Sequence, residues 1–170
     1  MTHRYVALLR AVNVGGTGKL PMAELKAMCE EIGLARVRTW IASGNVLFES
    51  AWDEATVKAT LEQRLHRYAG KPVGVLVRTP EAMAQVLADN PFATEPGNRV
   101  VAIFLDTVPS ATALDHVSGQ KDERIALGRR EIYVHYGDGM ADSRLTIKAA
   151  AQGTARNMNT VAKLAAMAAD

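Results

Sequence analysis

Cysteine, aromatic residues and excess charge of one sign are all scarce in this chain, and each shortage closes off a class of protein. Cys29 is the only cysteine, so neither an intramolecular disulfide nor a cysteine-based zinc cluster can form within one chain. An oxidising compartment is therefore not implied. Aromatic residues make up 5% of the sequence, a thin supply for the stacking platforms that hold single-stranded nucleic acid. With 20 basic and 18 acidic residues the net charge is +2, too small to steer the whole molecule onto a polyanion. Any affinity for anions has to come from local clustering. No apolar run approaches the length that spans a bilayer, so no membrane association is expected. Met1-Thr2-His3-Arg4 leads straight into a strand-like segment, without the apolar stretch and small-residue cleavage site of a secretory signal; a cytoplasmic location is the expectation.

What is present fits an ordinary globular protein. The 170 residues are 48% hydrophobic and 22% charged, and a chain of that length buries roughly 70% of its unfolded surface on folding. Tyr5 to Leu9 is a short apolar run between Arg4 and Arg10, a buried strand by its length. A Gly-rich loop follows. Pro21 then suits the first turn of a helix whose inward face is Met22, Leu25, Met28, Cys29 and Ile32, stopped by Gly33. Val37 to Ala42 and Val46 to Glu49 read as strands joined by a Ser43-Gly44-Asn45 turn. Val57, Leu61, Leu65 and Tyr68 mark another helical face closed by Gly70, and Val73 to Val77 is again strand-like.

Strand, helix, hairpin, helix, strand is the order of the split βαβ, ferredoxin-like unit. Beyond it, Thr79 caps a helix that starts on Pro80 and carries Met83, Val86 and Leu87 inward, ending near Asn90-Pro91. A strand at Val100 to Leu105, a helix around Ala111 to Val117 and strands at Arg124 to Leu127 and Glu131 to Tyr136 repeat the strand, helix, hairpin order, as an old duplication would. From Asp142 onward the pattern predicts two helices separated near Gly153. The expected fold is thus α+β, with two ferredoxin-like (split βαβ) subdomains, mostly antiparallel sheets and C-terminal helices. Residues 1–79 form the first subdomain. Residues 80–170 hold the linking helix, the second subdomain and the C-terminal helices, the whole making one compact unit.

Tyr5-Val6-Ala7-Leu8-Leu9-Arg10-Ala11-Val12-Asn13-Val14-Gly15-Gly16 resembles the opening of a bacterial family known as domain of unknown function 1697. Three later segments agree with it: Val37 to Val46, His135-Tyr136-Gly137-Asp138-Gly139-Met140 with Ser143 and Leu145, and Thr154-Ala155-Arg156-Asn157-Met158-Asn159-Thr160-Val161. The resemblance covers essentially the whole chain. It implies a single α+β fold of two ferredoxin-like subdomains and no established activity. The chain departs from the family pattern at Ala11, usually Gly, at Gly137, often Pro, at Arg144, usually Lys, and at Met158, typically Trp. If that tryptophan stacks on a ligand, Met158 offers flexible apolar contact without a flat aromatic face.

Three segments could hold a ligand. Asn13-Val14-Gly15-Gly16-Thr17-Gly18-Lys19 lies between a strand and a helix, where backbone N–H groups and a helix N-terminus favour an anion. Arg10 and Lys19 add two cations. The segment fails the P-loop pattern, which needs Gly where Asn13 stands and Ser or Thr where Leu20 stands, and it fails the dinucleotide fingerprint at Pro21. The plain alternative is that its glycines only permit a tight connection. Ser43 and Asn45 offer polar groups at the same sheet edge, although hairpin turns select these residues for conformation alone. Arg156 is a planar donor suited to carboxylate or phosphate, or equally to a surface ion pair, while Asn157 or Asn159 suits a helix N-cap.

His3, His66, His116 and His135 have no metal-ligand spacing, so no metal is expected, and no cofactor either. Cys29 sits on an apolar helix face and reads as a core residue. The leading functional expectation is a site for a small anionic ligand, phosphate- or carboxylate-bearing and possibly a nucleotide, built from Arg10, Asn13, Gly15, Gly16, Lys19, Ser43, Asn45, Arg156, Asn157 and Asn159. Two alternatives stand beside it: a single-stranded nucleic-acid-binding module on a ferredoxin-like sheet, and a transferase-type enzyme in which Arg10 and Lys19 stabilise developing negative charge on a phosphorylated substrate. No acid–base pair for the enzyme is evident. Asp138 and Asp142 suit a turn and a cap around Gly139. Nothing in the sequence counts subunits.

Overall fold

A computed structural model describes residues 1–12 and 19–170. Asn13, Gly15 and Gly16, three of the residues expected to bind a ligand, lie outside the described residues. The chain divides into two compact units, Met1–Met83 with Leu164–Asp170, and Ala84–Lys163.

The first unit runs β1 (His3–Leu9), α1 (Met22–Glu31), β2 (Ala35–Trp40), β3 (Asn45–Ser50), α2 (Glu54–Ala69) and β4 (Val75–Arg78). Its sheet has the order β2-β3-β1-β4, with every neighbouring pair antiparallel. Both the element order and the sheet order are consistent with a split βαβ unit. One face of the sheet is packed by the helices. Tyr5, Ala7 and Leu9 of β1, Val46 and Phe48 of β3 and Val75 and Val77 of β4 meet Leu25, Met28 and Cys29 of α1 and Val57, Leu61 and Leu65 of α2. Fully burying a side chain such as Leu61 contributes about 1.5–3 kcal/mol. Val6 and Leu8, on the opposite face of β1, are also buried. Burial on both faces explains why β1 reads as a continuous apolar run rather than an alternating one.

The helix ends follow their sequence signals. Asp53 caps α2 by accepting the Thr56 N–H at 2.8 Å, and Gly70, at φ +72°, closes it with its N–H on the His66 carbonyl. Gly33 follows α1 at φ +97°. Cys29 has no exposed surface, and burial, with Glu30 beside it, pushes its thiol up to about 12. It therefore stays a neutral core residue at physiological pH.

In the second unit the helix α3 (Pro80–Ala88), capped by the Thr79 hydroxyl, leads to β5 (Val100–Phe104), β6 (Val117–Ser118), β7 (Arg124–Leu127), β8 (Glu131–His135), β9 (Thr146–Ile147), β10 (Thr154–Asn157) and α4 (Met158–Ala169). The division between units falls within α3 and again within α4. The larger sheet has the order β10-β5-β8-β7, and β6 pairs with β9 as a separate ribbon, all antiparallel.

Two expectations fail here. The helix expected around Ala111 to Val117 is a run of turns: the Ala113 and Asp115 N–H groups bond the carbonyls three residues back, Ser110 and Thr112. That stretch is too short, and too rich in turn-favouring neighbours, to cover the cost of starting a helix. The two helices expected from Asp142 are one. Residues 140–142 and 148–150 are single 3-10 turns, β9 and β10 lie between, and only α4 is a helix. Gly153 explains the switch to strand, because a Cβ there would lie 2.6 Å from the Phe104 carbonyl oxygen of β5. The α+β class, the antiparallel sheets and a C-terminal helix stand as expected. Among the described residues no helix is long and apolar enough to cross a membrane.

Candidate functional site

Antiparallel pairing decides which expected residues of the first unit come together. Leu8 of β1 faces Asn45 of β3, so the end of β1 and the turn preceding β3 share one end of the sheet. The Leu9 N–H donates to the Gly44 carbonyl and the Arg10 N–H to the Gly74 carbonyl, both at 2.8 Å. Arg10, Ser43 and Asn45 are thus gathered at that end, the place where β1 hands over to the Gly-rich segment.

The hairpin residues have structural work of their own. The turn spans 41–44, starting two residues and ending one residue earlier than expected, because Ile41 and Ala42 belong to the turn and Asn45 is the first residue of β3. Asn45 has no exposed surface; its amide N–H groups donate to the Trp40 carbonyl and the Ser43 hydroxyl, each at 2.9 Å. A buried amide that ties both ends of a turn together specifies the turn. Gly44 holds φ +89°, and a Cβ there would lie 2.6 Å from the Val12 Cγ2 methyl.

Beside this end lies a cavity of about 280 Å³, lined by Val12, Leu20, Leu65 and Val73 with Lys19 and Lys71, and completed by Ala11, Tyr68 and Ala69. α1 and α2 reach it from opposite sides of the chain order: Lys19 and Leu20 precede α1, while Leu65 to Lys71 end α2. Lys19 makes no hydrogen bond or ion pair among the described residues. Among the described residues no carboxylate lines the cavity. The Tyr68 hydroxyl donates to the Glu24 carboxylate of α1, and that hydrogen bond raises the phenol above its ordinary value. Ala11 enters the cavity wall at φ +54°, a left-handed conformation that costs an L-residue roughly 1–2 kcal/mol.

A second cavity of the same unit, about 350 Å³, escaped the sequence analysis; Arg4, Arg36, Arg38, Glu49 and Asp170 line it. A bulge in β2 between Ala35 and Arg38, with Arg36 at φ +50°, sets these side chains. Each of the three arginines has a partner. Arg38 donates to the Met167 carbonyl at 2.7 Å and Arg4 to that of Ala168 at 3.4 Å, while Arg36 stands 3.4 Å from Glu49. Arginines on the last carbonyls of a helix satisfy groups the helix leaves open and oppose its negative end. This cleft is a helix cap.

In the second unit Arg156 lies on β10 with 6% of its surface exposed. It donates to the Thr154 hydroxyl at 2.8 Å and the Ala155 carbonyl at 2.9 Å. Burial pulls its guanidinium down to about 10, so it remains charged at neutral pH. Asn157 is the N-cap of α4, its Oδ1 accepting the Thr160 N–H at 2.9 Å. Asn159 packs on Gly97, where a Cβ would lie 2.2 Å from the Asn159 Oδ1. Met158 is buried, with 5% exposure.

A cluster the sequence did not signal surrounds His135. Its Nε2 is 2.9 Å from the Glu95 carboxylate, and the Arg124 guanidinium is 3.2 Å from its Nδ1 and 5.1 Å above the Phe92 ring. With an arginine donating to Nδ1, the proton belongs on Nε2, facing Glu95. Among the described residues no group of three or more His, Cys, Asp or Glu could hold a metal ion.

The comparisons with known proteins agree with this architecture. A conserved bacterial protein from Streptococcus pneumoniae, SP0830, has a similar solved structure, with a TM-score of 0.80 and 23% sequence identity over 99% of each chain. At that identity the likeness speaks for the fold. No curated protein matches the chain. The model of the family described as protein of unknown function (DUF1697) matches residues 1–133, and the chain belongs to that family.

Proposed function

We propose that the chain binds a small anionic ligand, phosphate- or carboxylate-bearing, at the end of the first sheet where β1 gives way to α1. One observation carries the reading: Lys19 and Lys71 share a cavity with no carboxylate among the described residues of its lining. Ammonium groups beside low-dielectric walls favour an anion more than the same groups would in open water. Pro21 supplies no side chain to cap α1, so N–H groups of that first turn remain available to the same charge. Arg10 stands at the adjoining strand end and adds to the local field.

The other expected residues have smaller parts. Asn45, Asn157 and Arg156 already spend their polar atoms on the hairpin, the α4 cap and β10. Among the described residues the cavity lining offers two lysines and Tyr68 but no carboxylate, imidazole or thiol, so the commonest acid–base groups are not at hand for group transfer.

Thermal unfolding against inorganic phosphate, sugar phosphates, nucleotides and carboxylates tests the proposal. A ligand at 100 times its Kd stabilises the native state by about 2.7 kcal/mol. The expected result is a rise in Tm with at least one compound, lost in Lys19→Ala. A panel without any shift, or a shift unchanged in both Lys19→Ala and Lys71→Ala, would reject it.

A further inference from the structure

The turn after β8 carries a pairing of residues that occurs once in the chain. Of all the aspartates and asparagines, Asp138 alone is followed by glycine. The following residue matters because its backbone nitrogen can close a five-membered ring on the side-chain carboxyl carbon, and any side chain it bears crowds that approach. Gly139 has none, and a Cβ built there would meet nothing within 4 Å beyond its chain neighbours. The Asp138 side chain is 92% exposed, and among the described residues the Gly139 N–H donates no hydrogen bond. Gly137, at φ +63°, and Gly139 flank Asp138 with backbone that rotates at little cost. Asp142–Ser143 supplies the contrast within the same segment. There the N–H is held by the Met140 carbonyl at the end of the 3-10 turn over 140–142, and the residue after the aspartate bears a side chain.

We infer that Asp138–Gly139 is a site of spontaneous isoaspartate formation in the folded protein. The Gly139 nitrogen gives up its proton and bonds to the Asp138 Cγ, the carboxyl gives up its hydroxyl, and one water leaves behind a succinimide. Water then adds to either ring carbonyl. Cleavage at Cγ returns aspartate, whereas cleavage at the backbone carbonyl carbon leaves the chain running through Cβ and Cγ, with the new carboxylate on Cα. Nothing is oxidised or reduced. The ionised carboxylate is the unreactive form, because it has no hydroxyl to lose. Arg99, whose guanidinium pairs with the Asp138 Oδ1, favours that form and so restrains the reaction. The restraint is weak, since both side chains reach solvent. Isomerisation lengthens the backbone of the turn by one methylene and moves the carboxylate away from Arg99. The new carboxylate is the group that isoaspartyl methyltransferases esterify with S-adenosylmethionine, so the modified chain is a substrate for an enzyme of that class.

The test is incubation of the whole folded chain for weeks in mildly acidic and in neutral buffer, read by peptide mapping with mass spectrometry. Transfer of labelled methyl groups from S-adenosylmethionine by an isoaspartyl methyltransferase counts the product. The expected result is a peptide containing residues 138 and 139 with unchanged mass and altered retention, preceded by a form lighter by one water, and accumulating faster in the acidic buffer. Asp142 should stay intact. Gly139→Ala, whose methyl has open space, should slow the reaction several-fold and leave the Tm unchanged. Arg99→Ala should speed it by less than about five-fold, the limit an exposed ion pair sets. Asp138→Asn should react faster still, losing ammonia in place of water. If the folded chain stays unmodified while the same chain in urea reacts, the native turn protects the pair and the inference is wrong. It is equally wrong if Gly139→Ala reacts at the wild-type rate, or if another aspartate isomerises first. A folded Asp138→Asn chain that stays intact would show that the turn cannot close the ring, which overturns it independently of the carboxyl chemistry.

Discussion

The two units build the same sheet order on different scaffolds. With β5, β7, β8 and β10 in the places of β1, β2, β3 and β4, the order β10-β5-β8-β7 is that of the first sheet read from its other edge. The first unit crosses its sheet with α1 and α2, of 10 and 16 residues. The second crosses with turns, 3-10 segments and the β6–β9 ribbon, whose Val117 and Ile147 pack with Leu114 and Leu145 against Val101, Ile132 and Val134. Strand pairing therefore settles sheet order without helical crossovers, and the covering layer has only to supply apolar contacts. The cost differs. Helices satisfy their own backbone, whereas irregular crossovers need side chains to do so. Glu123 accepts the Lys121 N–H and the Ser143 hydroxyl, and the Gln120 amide donates to the Glu123 carbonyl.

If that contrast holds, apolar truncation should hurt the first unit most. Leu61→Ala, at a fully packed position of α2, is expected to lose about 2–5 kcal/mol. Leu145→Ala, only partly buried under the ribbon, should lose less than half as much. Urea denaturation measures both, and labelling of Cys29 by a thiol reagent follows opening of the first unit alone. Equal losses would show the ribbon to be as tightly packed as the helices.

Backbone replacement at glycine should reverse the ranking. Gly119 and Gly44 both hold positive φ, at +70° and +89°, so alanine costs roughly 1–2 kcal/mol in conformation at either site. The obstacles differ. A Cβ at Gly119 would lie 2.0 Å from the Arg144 carbonyl oxygen, which is backbone, while at Gly44 the nearest atom is a Val12 methyl. Gly119→Ala is expected to be the more destabilising by thermal unfolding, and Gly44→Ala matching it would mean that the ribbon yields.

The same asymmetry explains how far the sequence could be read. Where apolar period and burial coincide, as in β1, α1 and α2, the elements lie where the pattern put them, and Pro21, Gly33 and Gly70 mark their ends. β10 hides because its inward positions are Thr154 and Arg156, which erase the alternating apolar signal. β6 and β9 are two residues each, too short for any period. At the candidate site Lys19 was legible from its loop. Lys71 and Tyr68 were not, since only the packing of α2 beside the start of α1 brings them to the same cavity. The His135 cluster depends likewise on Glu95, distant in sequence.

Acid should probe the side-chain network of the second unit. The Ser143 hydroxyl, followed by the Lys121 N–H, holds the Glu123 carboxyl below its ordinary value. Its contribution is complete above the unfolded pKa of about 4.3 and is lost as pH falls through the lower folded value. Ser143→Ala should therefore destabilise at pH 7, with the gap from wild type closing as pH drops below about 4. In the first unit the corresponding carboxylate, Asp53, is lowered by Thr56 within its own helix cap, and Thr56→Ala should show the same closing gap. A gap at Ser143 independent of pH would mean that Glu123 is not what the hydroxyl serves.

The smallest effect is expected at Ala11. It carries φ +54° in the cavity wall, a conformation that glycine adopts without the Cβ penalty. Ala11→Gly relieves that strain of roughly 1–2 kcal/mol and gives back part of it, because glycine leaves a more flexible unfolded chain by about 0.4–1 kcal/mol. A net gain of about 1 kcal/mol or less follows, read as a Tm rise of a few degrees at most. Arg36, at φ +50° in the β2 bulge, is the control within the same unit. Arg36→Gly should win the same conformational relief and lose the contact with Glu49, an exposed pair worth little. Similar small gains at both positions would place the strain in the backbone. Destabilisation at Ala11 alone would instead assign its methyl a packing role in the cavity wall.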